Sequence, residues 1–217
     1  MKVLGFNGSP RKTWNTAILL QKVLEGAASQ GAETELIHLY DLDYRGCRSC
    51  FACKMAGNQD GMCASQDGLT PMLEKIRRAD ALVLGSPIYY GTVTGEMKSF
   101  LERLAFPCWT YTDPPRSLFP RKIPTGFIYT MNITEEQMQA FGYGMHIGNN
   151  ERILRLVFGA SESLCSCDTM QFADYAKMAA PRFDPVKKAK RRAEVFPQEC
   201  EAAFAMGVRF ARAGEAG

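Results

Sequence analysis

Four of the chain's eight cysteines lie within residues 46–63, in the segment GCRSCFACKMAGNQDGMC. Cys47, Cys50 and Cys53 follow Cys-x-x-Cys-x-x-Cys spacing, and nine residues separate Cys53 from Cys63. Thiolates bind iron–sulfur clusters and zinc, and thiols form disulfides where the surroundings are oxidising. The spacing alone therefore leaves four possibilities open: a cluster, a zinc site, a disulfide loop, and a loop of reduced thiols.

A second group of chemically active side chains follows the first apolar run, in the stretch NGSPRKTWNT at residues 7–16. It supplies hydroxyl, amide and cationic donors ahead of a helical pattern: Ser9, Arg11, Lys12, Asn15 and Thr16. A helix N-terminus carries unpaired N–H groups and a partial positive charge, so a phosphate fits there. Neither a nucleotide-triphosphate loop nor a Gly-x-Gly-x-x-Gly turn is present. The stretch predicts a phosphate-binding turn, with a plainly capped helix as the alternative.

A third group lies in GSPIYYGTVTGEMKSFLER, where a loop precedes another helical pattern. The loop residues of interest are Pro87, Ile88, Tyr89, Tyr90 and Gly91. Their backbone N–H and C=O groups could bond the edge of a flat heterocycle, while Tyr89 or Tyr90 flanks its plane. The alternative is that the two aromatic rings serve only for packing.

The fold that positions these groups is indicated by short apolar runs that alternate with segments of helical periodicity. The runs KVLGFN, TELIHLYDL, ADALVLGSP, PTGFIYTMN and CSCDTMQF are interpreted as strands, the last of them at residues 165–172. Alternating strands and helices predict an α/β fold with a parallel sheet covered on both faces. We expect a three-layer, doubly wound, five-stranded sheet of order 2-1-3-4-5, with residues 1–217 forming a single domain.

The connections also carry predictions. Thr134 and Gln137 form a capping-box pattern, residues 150–158 are helical in pattern, and Pro197 falls in the first turn of the last helix. Residues 106–123 and 132–149 are expected to be long loops, which in compact domains are usually functional or interfacial.

Composition limits the possible functions. The chain is 46% hydrophobic and 23% charged with a net charge of +3, which suits a globular protein and is too mild for a nucleic-acid partner. The cluster Lys187, Lys188, Lys190, Arg191 and Arg192 is interpreted as a solvated helix face rather than a phosphate contact. No signal peptide or membrane span is expected, which predicts a cytoplasmic location and makes a disulfide loop a minor possibility.

Taken together, GSPRKTWNT and SPIYYGTVTGEMKSFLER stand in the right order at the ends of the first and third strands. Over about residues 2–131 the chain resembles the NAD(P)H-dependent FMN reductases of the flavodoxin-like superfamily. The resemblance implies FMN, with its phosphate at Ser9, Arg11, Asn15 and Thr16. It also implies an isoalloxazine ring against Pro87–Gly91, with 130–132 as further contacts.

The implied activity is that of an FMN-dependent NAD(P)H oxidoreductase. Electrons pass from a reduced nicotinamide through FMN to a quinone, a flavin, or another small-molecule or protein acceptor. The cofactor carries this chemistry, so no catalytic side chain is assigned. Such enzymes generally form homodimers or homotetramers, and residues 106–120 are the candidate wall that one subunit places against its neighbour's flavin. A surface loop on its own subunit is the alternative.

The resemblance also bears on the cysteines. Iron–sulfur flavoproteins of this superfamily hold a [4Fe-4S] cluster with a compact cysteine motif in this loop, and CRSCFAC matches its core, whereas the interval to Cys63 is longer. We favour reduced, partly buried thiols, with a cluster on Cys47, Cys50, Cys53 and Cys63 as the main alternative. Zinc is less suited, because its sites usually use two separated cysteine pairs. A cluster would make the protein a single-electron carrier. A third possibility is a non-catalytic flavin or thiol sensor.

Overall fold

The structure is a computed structural model and describes residues 1–58 and 60–215. Its strands are β1 (Lys2–Asn7), β2 (Glu33–His38), β3 (Ala81–Tyr89), β4 (Thr92–Val93), β5 (Ile123–Thr130) and β6 (Gly159–Ser166). Its helices are α1 (Asn15–Ala28), α2 (Thr70–Arg78), α3 (Gly95–Cys108), α4 (Glu135–Ala140), α5 (Tyr143–Phe158), α6 (Pro185–Glu194) and α7 (Phe196–Glu215).

The long strands form one parallel sheet in the order β2-β1-β3-β5-β6, and the two-residue β4 pairs antiparallel with the end of β3. With β4 left out, this is the predicted 2-1-3-4-5 order. The doubly wound α/β fold is therefore confirmed. β1 and β3 are the central strands, and their near-continuous apolar runs are buried because helices cover both faces of the sheet.

Two apolar clusters separate the three layers. On one face, α1 and α7 cover the sheet with Leu20, Val23 and Phe210, among others. On the other face, Phe100 of α3 and Phe158 of α5 pack on residues of the sheet and of α2. Both faces of the sheet are thus buried, and its carboxyl edge is left for loops.

α1 and α7 approach each other closely because each has a glycine at the contact. A Cβ atom on Gly207 would lie 1.8 Å from the carbonyl oxygen of Val23, and one on Gly26 would lie 2.0 Å from that of Phe204. No side chain fits at either point. The glycine pair lets α7 support α1, the helix that carries the predicted phosphate turn.

The fifth long strand lies earlier than predicted. Residues 159–166 pair in parallel register with β5, whereas residues 165–172 leave the sheet after Ser166. The prediction was wrong because β6 is an edge strand of small and polar residues, GASESLCS, and lacks the apolar run that marks a central strand. Asp168, at φ 51°, ends the extended path.

The connections differ from the prediction as well. Residues 132–149 contain α4 and the start of α5 and are not a long loop, although the capping box of Thr134 and Gln137 forms as predicted. α3 extends to Cys108, which shortens the 106–123 connection. None of the described helices combines the length and apolar character needed to cross a membrane.

The interpretation of the basic cluster as a solvated face is wrong for three of its five members. Lys188 is 4% exposed and donates to Asn132 Oδ1 at 2.6 Å. Arg191 pairs with Glu199, and Arg192 donates to Asn15 at the start of α1. Cations spaced three and four residues apart share one helix face, and here that face is turned towards the sheet edge.

Candidate functional site

The ends of β1 and β3 are tied together at the carboxyl edge of the sheet. Gly8 N–H donates to the carbonyl of Gly85 at 2.7 Å, and the Thr94 hydroxyl donates to the carbonyl of Gly8 at 2.7 Å. Thr94 N–H donates in turn to the Ser86 hydroxyl at 3.0 Å. The turn at 7–16 and the loop at 87–91 therefore lie side by side, as the two sequence motifs require.

Side-chain hydrogen bonds shape the first turn from within. Asn7 is fully buried; its Oδ1 accepts from Ser9 N–H at 3.0 Å, and its Nδ2 lies 2.9 Å from His38 Nδ1. Burial lowers the pKa of His38 below its ordinary 6.5, although Asp41 opposes this. The imidazole is thus neutral at pH 7, and because Asn7 Nδ2 can only donate, His38 Nδ1 accepts.

The N-terminus of α1 has the features of an anion site. Its N-cap residue, Trp14, makes no side-chain capping bond, and the first turn contains no acidic residue. Arg11 has no carboxylate within 4.0 Å in the described part of the chain; it donates to the carbonyl of Gln171 at 2.5 Å. An uncapped helix dipole beside an uncompensated guanidinium favours a bound anion. The residues present therefore fit the phosphate of FMN.

The remaining predicted phosphate residues take up different positions. Asn15 is 5% exposed and donates to the carbonyl of Met170 at 2.9 Å. The Thr16 hydroxyl lies 2.8 Å from that of Thr130. Lys12 turns away from the helix and pairs with Asp41 at 2.6 Å. Ser9, Arg11, Asn15 and Thr16 are brought together at the turn, and Lys12 is not.

Residues after β6 contact this turn, and no sequence motif predicted these contacts. The Met170 carbonyl accepts from Trp14 Nε1 at 3.1 Å as well as from Asn15, and Arg192 donates to Asn15 Oδ1 at 2.6 Å. The basic run of α6 was the available signal for Arg192. No pattern in the sequence marks the Met170 carbonyl, because any residue supplies a backbone oxygen.

The second loop presents its backbone and two tyrosines to solvent. Tyr90 at φ 50° and Gly91 at φ 86° are both left-handed, and the Tyr90 ring is fully exposed while Tyr89 is 47% exposed. A tyrosine held in this region costs about 1–2 kcal/mol. A ring exposed in this way does not pack in the core, so the packing alternative fails for Tyr90, and the strain is of the kind found at functional sites.

The four clustered cysteines surround one small cavity. Cys47, Cys50, Cys53 and Cys63 all line it. Ser49 and Phe51, which alternate with the first three cysteines, both have φ 55°, so the backbone is in the left-handed region twice within three residues. Strained turns of this kind aim side chains in a direction that a regular helix or strand cannot.

Arg103 of α3 holds the two ends of the cysteine segment together. Its side chain is 1% exposed and donates to the carbonyls of Arg45 (2.8 Å) and Ser65 (3.1 Å), and it forms an ion pair with Asp67. Its buried Nε has no hydrogen-bond partner among the described residues, and the side chain lines the cysteine cavity. A buried donor without a partner, next to four thiols, fits a group that brings acceptor sulfurs and negative charge.

A zinc ion and a four-iron cluster require different separations between their cysteine ligands. In residues 1–58 and 60–215, no three Cys, His, Asp or Glu side chains lie close enough together to hold a single metal ion. Tetrahedral zinc requires such a tight group. In a four-iron cluster each cysteine binds a different iron, so the thiols stand further apart around a larger body. The described residues thus hold no preformed group for one zinc ion, and the cluster stays a prediction.

Residues 106–120 cover the cysteine segment of their own chain. Lys54 donates to the carbonyls of Phe106 and Trp109, the latter at 2.5 Å, and the Cys108 thiol lies 3.3 Å from the Gly61 carbonyl. These bonds place the segment beside the cysteine cavity. Its role as a flavin wall between subunits, and the dimer or tetramer this implies, stay predictions.

The part of the chain that contains the two motifs is similar in sequence to known proteins. The family model described as NADPH-dependent FMN reductase matches residues 1–134. An iron–sulfur flavoprotein of Methanocaldococcus jannaschii is 39% identical over 103 residues, which are 48% of this chain and 51% of that protein. One from Archaeoglobus fulgidus is 42% identical over 103 residues, 48% of each. The chain thus spans about half the length of these curated relatives.

Solved structures resemble the whole fold. An NAD(P)H:quinone oxidoreductase from Methanothermobacter marburgensis superposes with a TM-score of 0.71 at 16% identity, covering 96% of this chain and 98% of that one. An azoreductase from Bacillus anthracis superposes with a TM-score of 0.69 at 14% identity, covering 96% and 99%. At these identities the likeness concerns the fold, and it extends beyond the residues matched by the family model.

Proposed function

The chain belongs to the NADPH-dependent FMN reductase family, and from this premise we propose that it is an FMN-dependent NAD(P)H oxidoreductase. The observation that carries the proposal is the N-terminus of α1. It lacks a side-chain cap and an acidic residue, and Arg11 stands beside it without a carboxylate partner in the described residues. Its proposed electron acceptor is a quinone, a flavin or another small molecule.

The proposed phosphate ligands are the hydroxyl of Ser9, the guanidinium of Arg11 and the amide of Asn15, with Thr16 and the N–H groups of the first turn of α1. Asn7 holds Ser9 in place, because its Oδ1 accepts from Ser9 N–H. Lys12 contributes at longer range, since its ammonium is paired with Asp41.

The proposed ring site is the loop from Pro87 to Gly91, with Thr130 and Asn132 at the adjacent end of β5. When bound, FMN supplies the redox chemistry, accepting electrons from a reduced nicotinamide and passing them on. The chain holds the FMN in position and excludes solvent from it. The exposed ring of Tyr90 offers a stacking face, and backbone N–H groups of the left-handed turn face the heterocycle edge, where they stabilise negative charge.

The test is an anaerobic assay of the protein loaded with FMN. Oxidation of NADPH or NADH in the presence of a quinone is expected to require added FMN and to saturate at one FMN per chain. Stable FMN binding with no nicotinamide oxidation would refute the reductase proposal and leave a flavin-binding protein. No FMN binding would refute the proposal as a whole.

We propose a second candidate, an iron–sulfur flavoprotein that carries single electrons, because the four cysteines line one cavity beside the unpaired Nε of Arg103. The names of the Methanocaldococcus and Archaeoglobus relatives support this candidate. Anaerobic reconstitution with iron and sulfide is expected to yield about four irons and four sulfides per chain.

A matched pair of variants gives the control. Cys50→Ser should lose the iron, whereas Cys200→Ser, on α7, should retain it. Equal iron content in the two variants, or none in the unmodified protein, would contradict the cluster and leave the cysteines as reduced thiols.

A further inference from the structure

Arg192, in the last turn of α6, contacts the N-terminal end of α1, where a cation is unfavourable. Its guanidinium donates to the side chain of Asn15, the first residue of α1, at 2.6 Å. The N-terminus of a helix carries partial positive charge and repels cations. Arg11 lies at the same end, with its guanidinium 5.4 Å from the ring centroid of Trp14, the N-cap residue of α1.

No ion-pair partner balances the charge of Arg192 in the described part of the chain, although the C-terminal end of α6 and the neighbouring Glu199 and Cys200 favour it. Arg192 has no carboxylate within 4.0 Å in residues 1–58 and 60–215. The charged and titratable groups that affect it are Arg191, Glu199 and Cys200. Glu199 is already committed to Arg191 and to the Ser166 hydroxyl, the latter at 2.6 Å. The guanidinium thus has no carboxylate partner of its own among the described residues.

The guanidinium is nevertheless held in a fixed place. Its centre lies 3.8 Å from the ring centroid of Phe196, close enough for a cation–π contact. Burial lowers the pKa of Arg192 and Arg191 adds to this effect, while Cys200 and Glu199 oppose it without cancelling it. A fixed cation in an unfavourable field is stabilised when an anion binds nearby.

Arg192 also determines which way the amide of Asn15 faces. A guanidinium has only donors, so Asn15 must turn Oδ1 towards it. Nδ2 then points the other way, where it donates to the Met170 carbonyl at 2.9 Å. The Asn15 side chain is 5% exposed and has little room to rotate. Arg192 therefore fixes the orientation of the Asn15 amide, and one of the two N–H groups of Nδ2 is left for the phosphate.

We propose that Arg192 completes the phosphate site of FMN from α6, as a positioning residue that orients Asn15 and balances the phosphate charge. This inference rests on the proposed function, because it assumes FMN at the turn after β1. Arg192 lies outside residues 1–134, the part that the family model matches. The part of the chain after residue 134 thus contributes to the proposed cofactor site as well as to the core.

The experiment compares FMN with riboflavin, which has the same ring and no phosphate. Both flavins are titrated into the full-length apo-protein and into Arg192→Met, Arg192→Lys and Lys190→Met, with binding followed by flavin fluorescence. Lys190→Met is the matched control, because Lys190 is an exposed cation on the same helix whose only ion pair in the described residues is with Glu194, at 4.0 Å.

The expected result is that Arg192→Met weakens FMN binding by about tenfold or more, the effect of losing one charge-assisted interaction. Its riboflavin affinity should stay within about twofold of the unmodified protein, which also shows that the variant is folded. Arg192→Lys should fall between the two, since it keeps the charge and loses the planar fork. Lys190→Met should bind both flavins as the unmodified protein does.

Either of two results would overturn this inference and leave the proposed function standing. One is equal FMN affinity in Arg192→Met and Lys190→Met, and the other is an equal loss of FMN and riboflavin affinity in Arg192→Met. The first removes the role of Arg192, and the second makes that role purely structural. If the unmodified protein binds neither flavin, the proposed function fails and the inference fails with it.

Discussion

The hydroxyl groups of Thr16 and Thr130 lie 2.8 Å apart, and both side chains are buried. Thr16 belongs to the first turn of α1, and Thr130 is the last residue of β5. The bond joins the proposed phosphate turn to the strand end proposed for the ring site. It therefore links the two halves of the candidate cofactor site without the cofactor.

This pair makes a prediction about stability. Thr16→Val should lower the free energy of unfolding by about 1–3 kcal/mol, because it leaves the buried hydroxyl of Thr130 without its partner. Thr16→Val combined with Thr130→Val should cost clearly less than the sum of the single changes. Urea unfolding of the four proteins measures this coupling, and costs that simply add would show that the two hydroxyls do not interact.

Tyr90 should show a conflict between stability and function. Tyr90→Gly is expected to raise the free energy of unfolding by about 1 kcal/mol, because glycine adopts φ 50° without strain. The same change should weaken flavin binding through loss of the stacking face. Phe204→Ala, which removes a partly exposed ring on α7, away from the proposed ring site, is the control and should leave flavin affinity unchanged. A Tyr90→Gly protein with unchanged flavin affinity would show that the ring has no role in binding.

The sequence predicts a structural element well only where that element has a distinctive residue pattern. β1 and β3 were predicted because continuous apolar runs mark strands buried on both faces, and the turns that follow them carry recognisable donors. β6 was misplaced because an edge strand of small and polar residues has no such run. The burial of Lys188 and the contact of Arg192 with Asn15 were missed because a charge run looks the same whether its helix faces solvent or a sheet edge.

The cysteine segment depends on Arg103, and its loss should be costly. Arg103→Leu leaves Asp67 without its cation and frees both flanks of the segment, so the free energy of unfolding should fall by about 3–5 kcal/mol. Lys98→Leu, an exposed change on the same helix, should cost no more than about 0.5 kcal/mol. Similar losses in the two variants would contradict the role given to the buried pair.

The same pair predicts a pH dependence. Burial acts to raise the pKa of Asp67, but hydrogen bonds from Arg103 and the backbone more than offset this and hold the pKa below its ordinary 3.8. A carboxylate with a depressed pKa stabilises the fold above its unfolded pKa, and the contribution is lost as the pH falls through the folded value. The stability difference between the unmodified protein and Arg103→Leu should therefore shrink between about pH 5 and pH 2. A difference that stays constant over this range would contradict the assignment.

The contact between α1 and α7 should not tolerate a methyl group. Gly207→Ala is expected to cost about 1–3 kcal/mol or more, because the added Cβ would lie 1.8 Å from the Val23 carbonyl oxygen. Gly148→Ala, in α5 with nothing within 4 Å of its added Cβ, should instead stabilise by about 0.5–1 kcal/mol. Thermal unfolding of both variants decides the matter, and a stabilised Gly207→Ala protein would mean that the helices are not in close contact.

The central claim is that the turn after β1 binds the phosphate of FMN. The most direct measurement is a titration of the apo-protein with FMN, comparing the unmodified chain with Arg11→Met. About one FMN per chain should bind, with affinity falling about tenfold or more in the variant, since a charge-assisted contact to phosphate is lost. An unmodified chain that binds no FMN, or an Arg11→Met chain that binds it equally well, would contradict the claim.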